Sequence, residues 1–258
     1  MFFIKQVIAY ARFRYRCFYL HGIHSPFIFE FARVIKDNTN KNGYLELLRF
    51  RESVKNNNTL LTIEDHGAGS RVFKTNTRKV SELLRYNSTS LERTKLLYRI
   101  VQHYQPRNIL ELGTSLGIGS HAMAMASSST RIITVEGAAM VAAFTANHLE
   151  KNQITNVSVV HATFKDYMPT LTGRQFDLIY IDGHHDGNAL VNYFEDLLEL
   201  CHNETIIIAD DINWSSSMQG AWNKIQDHPM VTASINTFDW GILFLRKEQR
   251  QERFYVHL

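Results

Sequence analysis

The sequence predicts an α/β fold: a doubly wound, mainly parallel sheet preceded by an N-terminal helical segment. Three observations lead there. Short Val/Ile/Leu-rich runs at 108–112, 131–135, 157–161, 176–181 and 205–209 alternate with helical patterns, as expected of parallel strands covered on both faces. Two further strand patterns, "VTASINTF" and "WGILFLRKE", follow with only a short turn between them, which makes them a hairpin and ends the sheet in an antiparallel edge. The first run opens into a glycine turn, "NILELGTSLGIGSH", at the strand end where open α/β sheets bind ligands.

At helical pitch Ile4, Ile8, Ala11, Tyr15, Phe18 and Tyr19 fall on one stripe with Lys5, Arg12 and Arg16 on its flank, so residues 3–20 form an amphipathic basic helix. Such a helix can pack on its own domain, on the mate of a homodimer, or on an anionic membrane surface. Ser25 caps a second helix, with Pro26 at its first position, that runs to about Asp37. Residues 38–60 are rich in Asn and Lys, and "VKNNNT" reads as a solvated loop and the best candidate boundary. From Ser90, "SLERTKLLYRIVQHY" is a capped amphipathic helix. Helical patterns at 118–127, 138–152, 188–201 and 216–227 separate the strands. The expected organisation is a helical and lid region over 1–89 and a sheet-bearing domain over 90–258.

The 258 residues are 45% hydrophobic and 21% charged, with a net charge of +3. That balance suits a globular chain and is too mild to imply a nucleic-acid partner. Cys17 and Cys201 stand far apart and outside any C-x-x-C spacing, so no disulfide framework or zinc site is indicated and a reducing, cytoplasmic setting is expected. Lys5, Arg12, Arg14 and Arg16 interrupt the apolar start before a signal-peptide core or membrane span can accumulate.

Two stretches compete to be a nucleotide cradle. "LTIEDHGAGSRVF" (61–73) reads as a strand end, an acidic pair and a glycine turn, but no apolar strand with a placed acid follows it. Asp65, His66 and the glycines around them are therefore candidates for a lid or substrate loop. The second stretch has the full order: a strand, the turn Glu111-Leu-Gly113-Thr-Ser115-Leu-Gly117, a helix, and a second strand ending at Glu136. An acid at that strand end is the expected partner of ribose hydroxyls.

With E-x-G-x-x-x-G in place of G-x-G-x-x-G, this turn resembles motif I of the class I S-adenosylmethionine-dependent methyltransferases. The similarity extends over residues 91–245, and "IDGHH" at 181–185 resembles the catechol O-methyltransferase-like branch and related small-molecule O-methyltransferases with "IDG-x-H". The resemblance implies a Rossmann-like sheet of seven strands whose last strand is antiparallel. It implies S-adenosylmethionine as cofactor, with Glu111, Gly113, Thr114, Ser115 and Gly117 along its methionine and ribose, Glu136 on the ribose, and Ala162, Thr163 and Phe164 near the adenine. The implied partner is a small-molecule acceptor carrying a hydroxyl.

Asp182 ends the fourth strand, beside the cofactor, and Asp210 and Asp211 end the fifth. Three carboxylates in one crevice call for a hard counter-charge such as Mg²⁺, and the catechol-type family holds its metal at the corresponding positions, with Asn where Asp211 stands. His185, three residues after Asp182, occupies the place of that family's lysine base, and an imidazole accepts a proton near neutral pH. His184 competes for the role, and both histidines could instead support a metal site. Trp214 and Trp222 lie near the mouth; Trp214, with Asp65 and His66, completes the set of candidate acceptor contacts. Rival readings are a nicotinamide-dependent oxidoreductase and a non-catalytic surface-binding module.

Overall fold

The computed structural model describes residues 2–17, 20–37, 39, 41–63 and 76–258. Glu64, Asp65, His66, Gly67 and Gly69, and with them the expected lid, lie outside the described residues. The first half of the chain forms α1 (Phe2–Arg16), α2 (Pro26–Ile35), α3 (Tyr44–Lys55), β1 (Leu60–Thr62), β2 (Thr77–Lys79), α4 (Val80–Tyr86), α5 (Leu91–Tyr104), β3 (Asn108–Leu112) and α6 (Ile118–Ala126). Then come β4 (Arg131–Glu136), α7 (Ala139–Lys151), β5 (Val157–His161), α8 (Phe164–Tyr167), β6 (Phe176–Ile181) and α9 (Gly187–Leu198). The chain ends in β7 (Cys201–Ala209), α10 (Ser216–Gln226), β8 (Ala233–Asn236), β9 (Gly241–Phe244) and β10 (Glu252–Tyr255). Eight strands belong to one mostly parallel sheet. The chain divides into two compact units, residues 38–172 and residues 1–37 with 173–258.

In the 38–172 unit β3, β4 and β5 run parallel, with Ile109 level with Ile132 and Ile132 with Val157. Ile109, Leu110, Leu112, Ile132 and Val135 are buried, the signature of strands covered on both faces. Within the Asn- and Lys-rich stretch 38–60, residues 44–55 form a helix: α3 buries Tyr44, Leu47, Phe50 and Val54 at helical spacing, takes in the first two residues of the expected loop "VKNNNT", and leaves 56–59 irregular. Phe50 stacks on the ring of His121 at 3.9 Å and 5°. His121 is 4% exposed, and burial pushes its imidazole down to about 4. β1 does not end a strand of the main sheet. It pairs antiparallel with β2 in a separate two-stranded ribbon.

In the other unit the strand order is β10-β8-β9-β7-β6. β6 and β7 are parallel, and the expected hairpin is β8–β9, with β9 antiparallel to both β7 and β8. The antiparallel strand is therefore interior, and β10, paired parallel with β8, forms the edge as an eighth strand. Gly241 is required where β9 begins, because a Cβ there would lie 2.3 Å from the Trp222 ring. Trp222 is 3% exposed, so it belongs to the core and not to a substrate mouth. Phe31 of α2 packs edge-on against Phe244 at 4.9 Å.

α1 packs on its own unit. Phe13 is buried and lies 5.5 Å from Phe238, Tyr10 meets the same ring edge-on at 5.0 Å, and Gln6 donates to the Asn213 carbonyl at 2.6 Å. The face that docks is thus Gln6, Tyr10 and Phe13. Ile8, Ala11 and Tyr15 of the expected apolar stripe face solvent.

Candidate active site

The glycine turn follows β3 because the register brings it there. Leu112 is level with Val135, so the next residues of each strand, Gly113 and Glu136, emerge together. Gly113 (φ 107°), Ser115 (φ 47°) and Gly117 (φ 72°) all have left-handed backbones, which glycine adopts freely and serine rarely. Gly117 is further constrained, since a Cβ there would stand 2.7 Å from Thr145 Cγ2. The turn is tied on both sides: the Ser115 N–H donates to Glu136 Oε2 at 2.9 Å, and Thr145 Oγ1 donates to the Ser115 carbonyl at 2.6 Å. Glu136 Oε1 also accepts the Ala138 N–H at 3.0 Å. Burial raises the Glu136 carboxyl above its ordinary range against the pull of those amides.

Two of the expected cofactor residues point inward. Glu111 is 1% exposed, accepts the Ser120 hydroxyl, and is pushed up to about 7 by burial, with that hydrogen bond opposing the rise. Thr114 is 3% exposed and its hydroxyl meets that of Thr134 at 2.6 Å. Their side chains brace the turn, in which Gly113 and Ser115 are half-buried and Leu116 and Gly117 are buried. Ala162 and Thr163 are half-buried; the Ala162 N–H bonds the Glu136 carbonyl at 3.1 Å, and Thr163 caps α8 through the Asp166 N–H. The backbone-lined turn and the acid beside it fit a nucleoside donor.

The acidic strand ends belong to the other unit. Ile181 is level with Ala209, so Asp182 and Asp210 emerge side by side. Tyr180 shares a strand face with Asp182, and its hydroxyl lies 3.0 Å from Asp182 Oδ2 and 3.3 Å from Asp210 Oδ2. Asp210, 4% exposed, also accepts the Asp211 N–H through Oδ1 at 2.6 Å. Asp211 has φ 54°, which directs its carboxylate elsewhere: Oδ2 is 3.9 Å from His185 Nε2. His184, at φ 56°, engages the Tyr193 hydroxyl through Nδ1 at 2.6 Å. Trp214 is 37% exposed, with its ring 6.2 Å from that of His185.

This geometry corrects the expected ligand set. Asp182 and Asp210 converge on a phenol, Asp211 turns to a histidine, and among the described residues no group of three or more His, Cys, Asp or Glu side chains is placed to hold a metal. The residues present do not fit a three-carboxylate cation site. Tyr180 and Tyr193 are additions to the candidate residues. Tyr180 could have been found from its i, i+2 spacing to Asp182; Tyr193, nine residues beyond His184 on α9, has no comparable signal.

Residues 110–212 match the family described as "Methyltransferase domain". The chain is 28% identical over 127 residues to a catechol O-methyltransferase of Mycobacterium tuberculosis, covering 48% of this chain and 57% of that protein. It is 32% identical over 130 residues to a catechol O-methyltransferase of Niastella koreensis, covering 48% and 58%. The match thus spans under two thirds of either relative's length. Among solved structures, the O-methyltransferase of Bacillus cereus in complex with SAH superposes with a TM-score of 0.58 at 21% identity, over 83% of this chain and 95% of that one. The matched region, the sheet and the glycine turn together make residues 110–212 a methyltransferase domain, similar over this stretch to the catechol O-methyltransferases.

Proposed function

We propose that the protein transfers a methyl group from S-adenosylmethionine to a hydroxyl of a small acceptor. The observation that carries this reading is the left-handed turn Gly113–Gly117 tied to Glu136, a backbone surface with an acid at the adjoining strand end. When bound, the donor supplies an electrophilic methyl carbon on a sulfonium. Gly113 and Ser115, the half-buried residues of the turn, leave room for its close approach, and Glu136 holds the turn in shape while accepting hydrogen bonds from the ribose.

His185 takes the acceptor's proton. The imidazole would accept the acceptor's hydroxyl proton while the bound donor would supply the methyl group by in-line displacement, its thioether being the leaving group. Asp211 faces the ring at 3.9 Å and orients it. His184 has its Nδ1 committed to Tyr193 and serves to position the strand-end loop. Metal assistance would require Asp211 to leave His185 and join Asp182 and Asp210; the arrangement favours acid–base assistance. Trp214 contributes an exposed ring to the acceptor side. The free thiols Cys17 and Cys201 support a cytoplasmic setting, and no described helix is long and apolar enough to cross a membrane.

The test is transfer of a labelled methyl group to a panel of catechols and other hydroxylated acceptors, with calorimetric titration of S-adenosylhomocysteine and NAD alongside. Binding of S-adenosylhomocysteine and labelled product support the reading. Binding of NAD without S-adenosylhomocysteine would overturn it in favour of a nicotinamide oxidoreductase.

A further inference from the structure

Among the described residues, the outer face of α1 is apolar and uncovered. Val7 is 52% exposed, Ile8 46% and Tyr15 92%, and with the exposed Ala11 they occupy positions i, i+1, i+4 and i+8, a continuous stripe along one side of a helix. The opposite side is already committed, Phe13 and Tyr10 to Phe238 and Gln6 to Asn213. The stripe therefore cannot be turned inward without undocking the helix. Arg12 and Arg14, both exposed, flank it on either side. Residues 1–29 carry Lys5, Arg12, Arg14 and Arg16 and no Asp or Glu.

We propose that this face of α1 docks on the surface of an anionic lipid bilayer, with Val7, Ile8, Ala11 and Tyr15 in the boundary between headgroups and acyl chains and the flanking arginines on the lipid phosphates. Apolar side chains need an apolar medium, which a nucleic acid does not offer, and cations need anions, which a bilayer of acidic lipids presents at the same depth. A second copy of this chain is disfavoured by the same charges. A two-fold interface would place the same basic face against itself, with no acid in residues 1–29 to compensate. The helix lies along the surface without crossing it. The proposal goes beyond the methyl-transfer reading and does not depend on it.

Co-sedimentation of the full chain with vesicles tests this. Vesicles containing phosphatidylserine are expected to carry the protein down at low salt, with release as salt is raised, and vesicles of phosphatidylcholine alone are expected to carry little. The double variant I8E/Y15E changes two exposed positions, so its thermal melt should match the parent while vesicle binding falls more than about tenfold. Arg12→Gln and Arg14→Gln should each weaken binding about fivefold, the loss of one lipid-facing cation. The proposal is overturned if the parent does not sediment with acidic vesicles, or if I8E/Y15E binds them as well as the parent. It is equally overturned if light scattering shows a dimer that I8E/Y15E dissociates, which would make the face an interface between two copies.

Discussion

His185 Nε2 stands 3.9 Å from Asp211 Oδ2, while its neighbour His184 is held by the Tyr193 hydroxyl. The two histidines are consecutive, yet the left-handed backbones at His184 and Asp211 send their rings to different partners. Among the described residues, His185 is the one of the two with a carboxylate oxygen within 4 Å of its ring nitrogen. A proton acceptor of this kind contributes on the order of 10²–10⁴ in rate.

His185→Ala should therefore lower kcat by about 100-fold or more at saturating donor, and Asp211→Asn by roughly tenfold, since the amide keeps the shape and loses the charge. His184→Ala should cost less than either. Steady-state kinetics on the three variants decide the assignment, and a larger loss at His184 than at His185 would reverse it.

Glu136 joins the glycine turn to the start of α7 by accepting the Ser115 and Ala138 amides. Truncating a buried acceptor leaves its donors unsatisfied, at a cost of about 1–3 kcal/mol. Glu136→Ala should weaken S-adenosylhomocysteine binding by tenfold or more and lower the melting temperature together. Glu136→Gln should bind better than the alanine variant, because its amide oxygen can keep one of the two bonds. Calorimetric titration measures both, and undiminished affinity in Glu136→Ala would remove this residue from the donor site.

Stability should peak in mildly acidic solution. The Glu111 carboxyl rises from 4.5 to about 7 through burial, so its contribution is complete below pH 4.5 and is lost as pH climbs through about 7. His121 moves the other way, from 6.5 to about 4 through burial; its contribution is complete above pH 6.5 and is lost as pH falls through about 4. Glu111→Gln should flatten the alkaline limb of a plot of melting temperature against pH, in part only, because Glu136 is raised by burial too. His121→Phe should flatten the acid limb while keeping the stack on Phe50. An alkaline limb identical in Glu111→Gln and parent would show that Glu111 does not titrate there.

What could be read in advance follows from how local each signal is. β3, β5 and β6 match the expected ranges at both ends because each is a short apolar run bounded by polar residues. α3 escaped because its exposed Glu46–Arg49 and Glu52–Lys55 pairs and the asparagines after it outweigh four buried positions. β10, whose residues 252–255 follow the charged stretch "RKEQRQ", owes its strand form to pairing with β8. The adjacency of Asp182 and Asp210 was legible from strand ends. The direction of Asp211 was not, since it depends on a left-handed backbone that an aspartate does not announce. Tyr180, fully buried, reads as core until its hydroxyl is seen between two acids.

That hydroxyl bears on the question of a cation. Two carboxylates brought to one point repel each other unless something of positive or donor character stands between them, and here Tyr180 fills that place for Asp182 and Asp210. With Asp211 directed to His185, methyl transfer should proceed in EDTA at a rate within about twofold of that with Mg²⁺. Tyr180→Phe removes the donor and should lower stability by about 1–3 kcal/mol, roughly 2–10 °C for a chain of this size. Added Mg²⁺ should then restore part of the lost melting temperature in the variant and none in the parent, because only the variant has two carboxylates without the phenol between them. Abolition of the parent's activity by EDTA, with recovery on adding Mg²⁺, would instead mean that Asp211 abandons His185 and completes a three-carboxylate ligand set.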